Sequence, residues 1–177
     1  MTYFISCILT VLLHVGFLNQ NDTLIDWSAN RKLTWVDFRA EPPNPPAAAA
    51  LTSTTIKVDF GYFNETLTYH IRCRFDKESS WGRVKNDYVL SHEQGHFDIA
   101  EIFARKLFDA LRKYRPEPKN IPRDVNKIYQ EMMKKYYERQ DEYDKETNFS
   151  MDKQKQEEWL QKINNELNAL DNLSNYH

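Results

Sequence analysis

Cysteine is scarce in this chain of 177 residues: Cys7 lies in an apolar N-terminal stretch and Cys73 stands alone in the body. A disulfide framework is therefore excluded once the N-terminus is removed, which does not argue against export. Net charge is equally scarce. The 24 Lys and Arg against 26 Asp and Glu leave −2 at pH 7, a balance that draws the chain to neither nucleic acid nor an anionic membrane. Asp, Glu, Lys and Arg are missing altogether from residues 1–20, where Phe4, Ile5, Ile8, Leu9, Val11, Leu12 and Leu13 crowd together. That run is too short for a comfortable membrane span. It reads as a secretory signal peptide or N-terminal anchor, although it has no basic n-region and no small-x-small site before Asn19; a buried N-terminal helix is the competing reading. Internal repeats and low-complexity tracts are missing too. The expected organisation is a signal or anchor over 1–20, one domain over 21–149, and a C-terminal amphipathic helix over 150–177 packed on that domain.

What the chain does have is 41% hydrophobic and 14% aromatic residues, enough to build a core. Ser53 to Phe60 alternates, with Ile56, Val58 and Phe60 on one face. Gly61 to Glu65 can turn the chain. Thr66 to Phe75 alternates again, with Leu67, Tyr69, Ile71, Cys73 and Phe75 on one side and His70 on the other. The two runs predict an antiparallel hairpin. The period then changes to helical over 87–114, where Val89, Glu93, His96, Ala100, Phe103, Leu107 and Leu111 form one stripe. Asp98, Glu101 and Arg105 are expected to face away, the last two as a surface pair one turn apart. Prolines at 116–122 end this helix. A second helix follows over 122–147, its aromatic stripe including Tyr129, Tyr136, Tyr137 and Tyr143 and read as core. A third starts near Ser150 and carries Trp159, Ile163, Leu167 and Leu170.

His92-Glu93-Gln94-Gly95-His96 is an H-E-x-x-H motif on the first long helix. Histidines four apart stack on one helical face, so both imidazoles can reach one ion. Glu93 beside them is the expected catalytic base, taking a proton from water activated by zinc. The motif continues an apolar stripe, so two imidazoles and a carboxylate head for the interior, a costly burial that a metal would relieve. Gly95 weakens the helix locally, a cost tolerated for close packing or access.

A catalytic zinc needs three protein ligands. His70 belongs to the exposed side of the hairpin, and His14 and His177 lie near the chain ends. A carboxylate is the expected third ligand. Glu131, Glu138 and Glu142 read as solvated; Asp144 borders the buried stripe of the second helix and is the best-placed acid, with Glu146 at the other edge in reserve. Tyr143 is either a core residue or a phenol that stabilises a transition state.

Ser91-His92-Glu93-Gln94-Gly95-His96-Phe97-Asp98-Ile99-Ala100-Glu101 and Ala104-Arg105-Lys106-Leu107, with Leu33-Thr34-Trp35-Val36-Asp37-Phe38, Ala49-Ala50-Leu51-Thr52, Cys73-Arg74-Phe75, Ser80-Trp81 and Tyr143-Asp144-Lys145-Glu146-Thr147, resemble the bacterial family labelled domain of unknown function 922. The resemblance covers nearly everything after residue 20 and implies a secreted zinc-dependent protease. One position departs. Relatives place a histidine two residues after the Thr of the Y-D-x-x-T string, where this chain has Phe149. If that histidine is a ligand in relatives, this chain lacks it. The expectation is an α+β, zincin-like fold: a small antiparallel sheet packed on the H-E-x-x-H helix, with two further helices. The expected function is an exported zinc metallopeptidase of the periplasm, cell envelope or exterior, acting on a peptide or protein. The competing readings are a non-catalytic binding protein with a structural or degenerate zinc site and a metal-independent envelope scaffold.

Overall fold

The computed structural model describes residues 23–45 and 48–176. The expected signal or anchor, with Cys7 and His14, and the terminal His177 lie outside the described residues. The architecture is mixed α+β. Among the described residues five strands, β1 (Leu24–Asp26), β2 (Ala50–Leu51), β3 (Thr54–Phe63), β4 (Thr66–Asp76) and β5 (Trp81–Gly82), precede three α-helices, α1 (Asp87–Lys113), α2 (Ile121–Glu146) and α3 (Lys153–Ala169). One antiparallel sheet has the order β1-β4-β3, and β2 pairs with β5 in a second small ladder.

The β3–β4 hairpin has the expected face. Ile56 pairs with Cys73 and Val58 with Ile71, and their apolar side packs under α1. Its turn is shorter than expected. Gly61, Tyr62 and Phe63 continue the strand, and Asn64 and Glu65 alone make the turn, at φ 48° and 60°. Two successive positive φ values match the right-handed twist of the flanking strands, so the ladder runs to the tip. On α1, Asn86 caps the first turn by accepting from the Val89 amide at 2.9 Å. Pro122 fits the first turn of α2, where its missing N–H costs nothing.

One core cluster runs from Ile56, Ile71, Cys73 and Phe75 through Phe97, Ala100, Phe103 and Leu107 to Tyr136, Tyr143, Trp159 and Ile163. The helix α3 is therefore part of the same core. Tyr137 departs from the expected aromatic core stripe and is exposed.

The outward reading of Asp98, Glu101 and Arg105 is overturned: all three are buried, Glu101 to 1% exposure. Asp98 accepts from the Trp27 indole at 2.7 Å and from Gln94 Nε2 at 2.8 Å. Glu101 accepts from Arg105 at 2.8 Å and from the Tyr176 hydroxyl, and Arg105 donates to the Leu167 carbonyl at 3.0 Å. The physical reason is coverage. The sheet and α2 cover one side of α1, while α3, the Trp27–Leu33 region and the C-terminal tail cover the other. Its polar residues are buried with partners rather than solvated.

Candidate metal centre

The connection over 114–120 reverses the chain, so α2 runs back along α1. Phe103 meets Tyr136, His96 meets Gln140 and His92 meets Asp144. The motif on the first turns of α1 thus faces the last turns of α2. Three donor atoms converge there. His92 Nε2 lies 3.1 Å and His96 Nε2 3.1 Å from Asp144 Oδ1, and the two nitrogens are 3.2 Å apart. These residues could together hold a metal ion.

Both imidazoles are held from behind. Tyr143 stacks on the His92 ring, with centroids 4.5 Å apart and planes 18° apart. Its hydroxyl donates to the His92 carbonyl at 3.3 Å. The tyrosine is fully buried, and burial followed by the charges of Glu93 and Asp144 pushes its hydroxyl pKa far up. It is a neutral packing partner of His92, and its hydroxyl is turned to the helix backbone rather than presented to a substrate. Gly95 makes this contact possible: a Cβ there would stand 2.5 Å from the Tyr143 hydroxyl oxygen and 2.9 Å from Cζ. Gln140 fixes His96, accepting from Nδ1 at 2.6 Å and donating to the His96 carbonyl at 3.0 Å. With Nδ1 as donor, the neutral ring turns its Nε2 lone pair towards the other two donors. Sequence reasoning missed Gln140.

Electrostatics are those of a tight imidazole–carboxylate group. Burial raises the Asp144 pKa, but hydrogen bonds to His92 and His96 outweigh it and hold the carboxyl well below its usual range. Burial lowers His96, but its bond to Asp144 and the charge of Glu93 raise it above the ordinary value. Glu93 is buried beside His92, and its carbonyl accepts from Thr52 Oγ1 at 3.3 Å, which ties the end of β2 to α1. Among the described residues, Glu93 Oε2 and His92 Nδ1 are buried without a hydrogen-bond partner. An unpaired carboxylate oxygen beside two imidazoles is costly unless a cation or a proton-bearing group answers it, and the donor set fits a metal.

The other expected residues fall elsewhere. Glu146 accepts from the Trp159 indole at 2.8 Å and so braces α3, which removes it as the reserve ligand. His70 and Glu138 are exposed. Phe149 contributes its backbone N–H, which donates to the Asp144 carbonyl at 2.8 Å; its side chain is exposed. The triad assembles without a histidine at that position.

No curated protein and no solved structure matches the chain. The family model described as "Bacterial protein of unknown function (DUF922)" matches residues 16–151, which span the sheet, the motif helix and all of α2. The chain belongs to this bacterial family.

Proposed function

We propose that this protein is an exported zinc-dependent hydrolase that cuts peptide bonds, with His92, His96 and Asp144 holding the metal and Glu93 as general base. The reading is carried by two imidazole nitrogens and one carboxylate oxygen, contributed by two helices, at 3.1–3.2 Å from one another. Tetrahedral zinc, with bonds of about 2.0–2.1 Å, separates neighbouring donors by about 3.3 Å. The donors stand close to that spacing, and two imidazoles with one carboxylate leave a fourth position for a substrate. The Asp144 side chain, 33% exposed against 4% for His92, marks the side from which a substrate would enter.

When bound, zinc polarises a carbonyl and makes water acidic near neutral pH. The chain's own residues supply the rest. Gln140 and Tyr143 hold the two imidazoles in orientation. Glu93 takes the proton of the attacking water and returns it to the departing amine. A peptide bond is the target because this motif on a helix belongs chiefly to metallopeptidases. Export rests on the uncharged apolar run over 1–20.

The purified protein should carry about one zinc per chain. His92→Ala, His96→Ala or Asp144→Ala should lose it, and Glu138→Ala on the exposed face of α2 should not. Glu93→Gln should keep zinc and melting temperature while hydrolysis of casein or a peptide library falls roughly 100-fold or more. A zinc-loaded wild-type protein that cuts nothing across a broad library would end the hydrolase reading and leave a structural metal site in its place.

A further inference from the structure

Tyr129 and Tyr136 pack against the core and Tyr143 is wholly inside it, yet Tyr137 on the same helix is 62% exposed. Seven residues make almost two whole helical turns, so Tyr137 projects to the same side of α2 as Asp144, about 10 Å nearer the helix start. Gln140 lies between them and bonds to His96, so this side of α2 is the one that faces the donors. The Tyr137 ring is braced. It packs on Tyr136 at 4.9 Å, and the Tyr136 hydroxyl shares a 2.7 Å hydrogen bond with Thr54.

Phe149, 55% exposed, lies beyond Asp144 in the turn that follows α2. Asn148, Phe149 and Ser150 have φ of 48°, 52° and 65°. Asparagine enters this left-handed region readily, whereas phenylalanine is strained there. Neither burial nor backbone preference accounts for an aromatic ring at this position. The turn is nevertheless fixed: Phe149 N–H donates to the Asp144 carbonyl at 2.8 Å, Asp152 N–H to the Thr147 carbonyl at 2.9 Å, and Thr147 Oγ1 to the Tyr143 carbonyl at 2.7 Å. Strain held in place beside a binding site is where function, rather than packing, selects the residue.

We infer that Tyr137 and Phe149 form an aromatic rim flanking the metal centre and that the site takes substrates with apolar or aromatic side chains near the reacting bond. This rests on the hydrolase reading above and names its substrate class. The 10 Å between Tyr137 and Asp144 corresponds to about three residues of extended peptide, so Tyr137 reads a side chain up to three positions from the bond that is cut. Aromatic faces stack on apolar and aromatic groups and offer nothing to a carboxylate.

Two measurements on the zinc-loaded protein test this. In calorimetric titrations, phenylalanyl hydroxamate should bind at least tenfold tighter than aspartyl hydroxamate. That advantage should shrink several-fold in Tyr137→Ser and in Phe149→Asn, a substitution the backbone accepts, with zinc content unchanged and the melting temperature not lowered. Equal binding of the two probes, or a preference that survives both substitutions, overturns the rim whether or not the protein cuts peptides. Cleavage-site mapping on a peptide library separates the two readings. Cuts flanked by acidic residues overturn the rim and leave the hydrolase standing. A phenylalanyl preference with no cuts leaves the rim as a binding surface and removes the hydrolase.

Discussion

Gln140 serves His96 twice, once through each end of its amide, and both bonds orient one ring. Outer partners of this kind typically change metal affinity by about 10–100-fold when removed. Gln140→Ala should therefore weaken zinc binding by about that factor in competition with a chelator, and leave the fold intact. Gly95 acts by what it lacks. Alanine there gains about 1 kcal/mol of helix preference but drives a methyl into Tyr143, an overpacking worth about 1–3 kcal/mol. Gly95→Ala should lower the melting temperature and weaken metal binding together, because Tyr143 would be pushed off His92. The meeting of His92 and His96 was legible from spacing, and Asp144 as a candidate beside them from its place on the helical wheel. Gln140 was not, since a neutral amide carries no ligand signature. Its signal lay in the symmetry of the helix pair: if the chain bends at 116–122, the partners of His92 and His96 fall near Asp144 and Gln140.

The helix α1 shows why a wheel reads one face well and the other poorly. Periodicity reports which residues share a side; it does not report how many neighbours an element has. Covered on both sides, α1 buries Glu101 and Arg105 as a pair. Burial raises the Glu101 pKa against the lowering effects of its bonds to Tyr176 and Arg105, so its charge is held at some cost. Removing Glu101 leaves the buried Arg105 with the Leu167 carbonyl and, at 3.9 Å, the exposed Asp171 as partners, so the loss lies towards the low end of the roughly 3–5 kcal/mol of a broken buried pair. Glu101→Ala should destabilise by that amount in denaturant titration, far beyond the loss expected of a surface pair. The hairpin β3–β4 was legible in pairing and face because alternation specifies both; its register was not, because the turn sets it. The turn was not legible, because Gly61 reads as a breaker while the backbone leaves the ladder only at Asn64 and Glu65.

At the scale of the whole molecule, the α+β arrangement followed from the switch of period near residue 87. The placing of β1 and the C-terminal tail did not, since both depend on contacts distant in sequence. The candidate metal site contributes a pH dependence of its own. In chelated protein, the depressed Asp144 contributes stability above the ordinary carboxylate pKa and loses it as pH falls. The raised His96 contributes below the ordinary imidazole value of about 6.5 and loses it as pH rises through its own higher value. The melting temperature of chelated protein should therefore fall as pH rises above the ordinary imidazole value of about 6.5. The increment added by zinc should rise over the same interval, because the ligands must be deprotonated to bind it. A zinc increment that is flat with pH in scanning calorimetry would contradict the ligand set.

The helix pair has one further property. Its two rods are joined by chain at one end, and at the other His92 and Asp144, 52 positions apart, meet through side chains alone. An ion seated between them turns an open clip into a closed ring. The tips become tethered points, and because only the folded chain offers the seat, occupying it stabilises the folded state. Amide exchange should report this as slower opening at the first turns of α1 and the last turns of α2, with the bend at 114–120 the least affected.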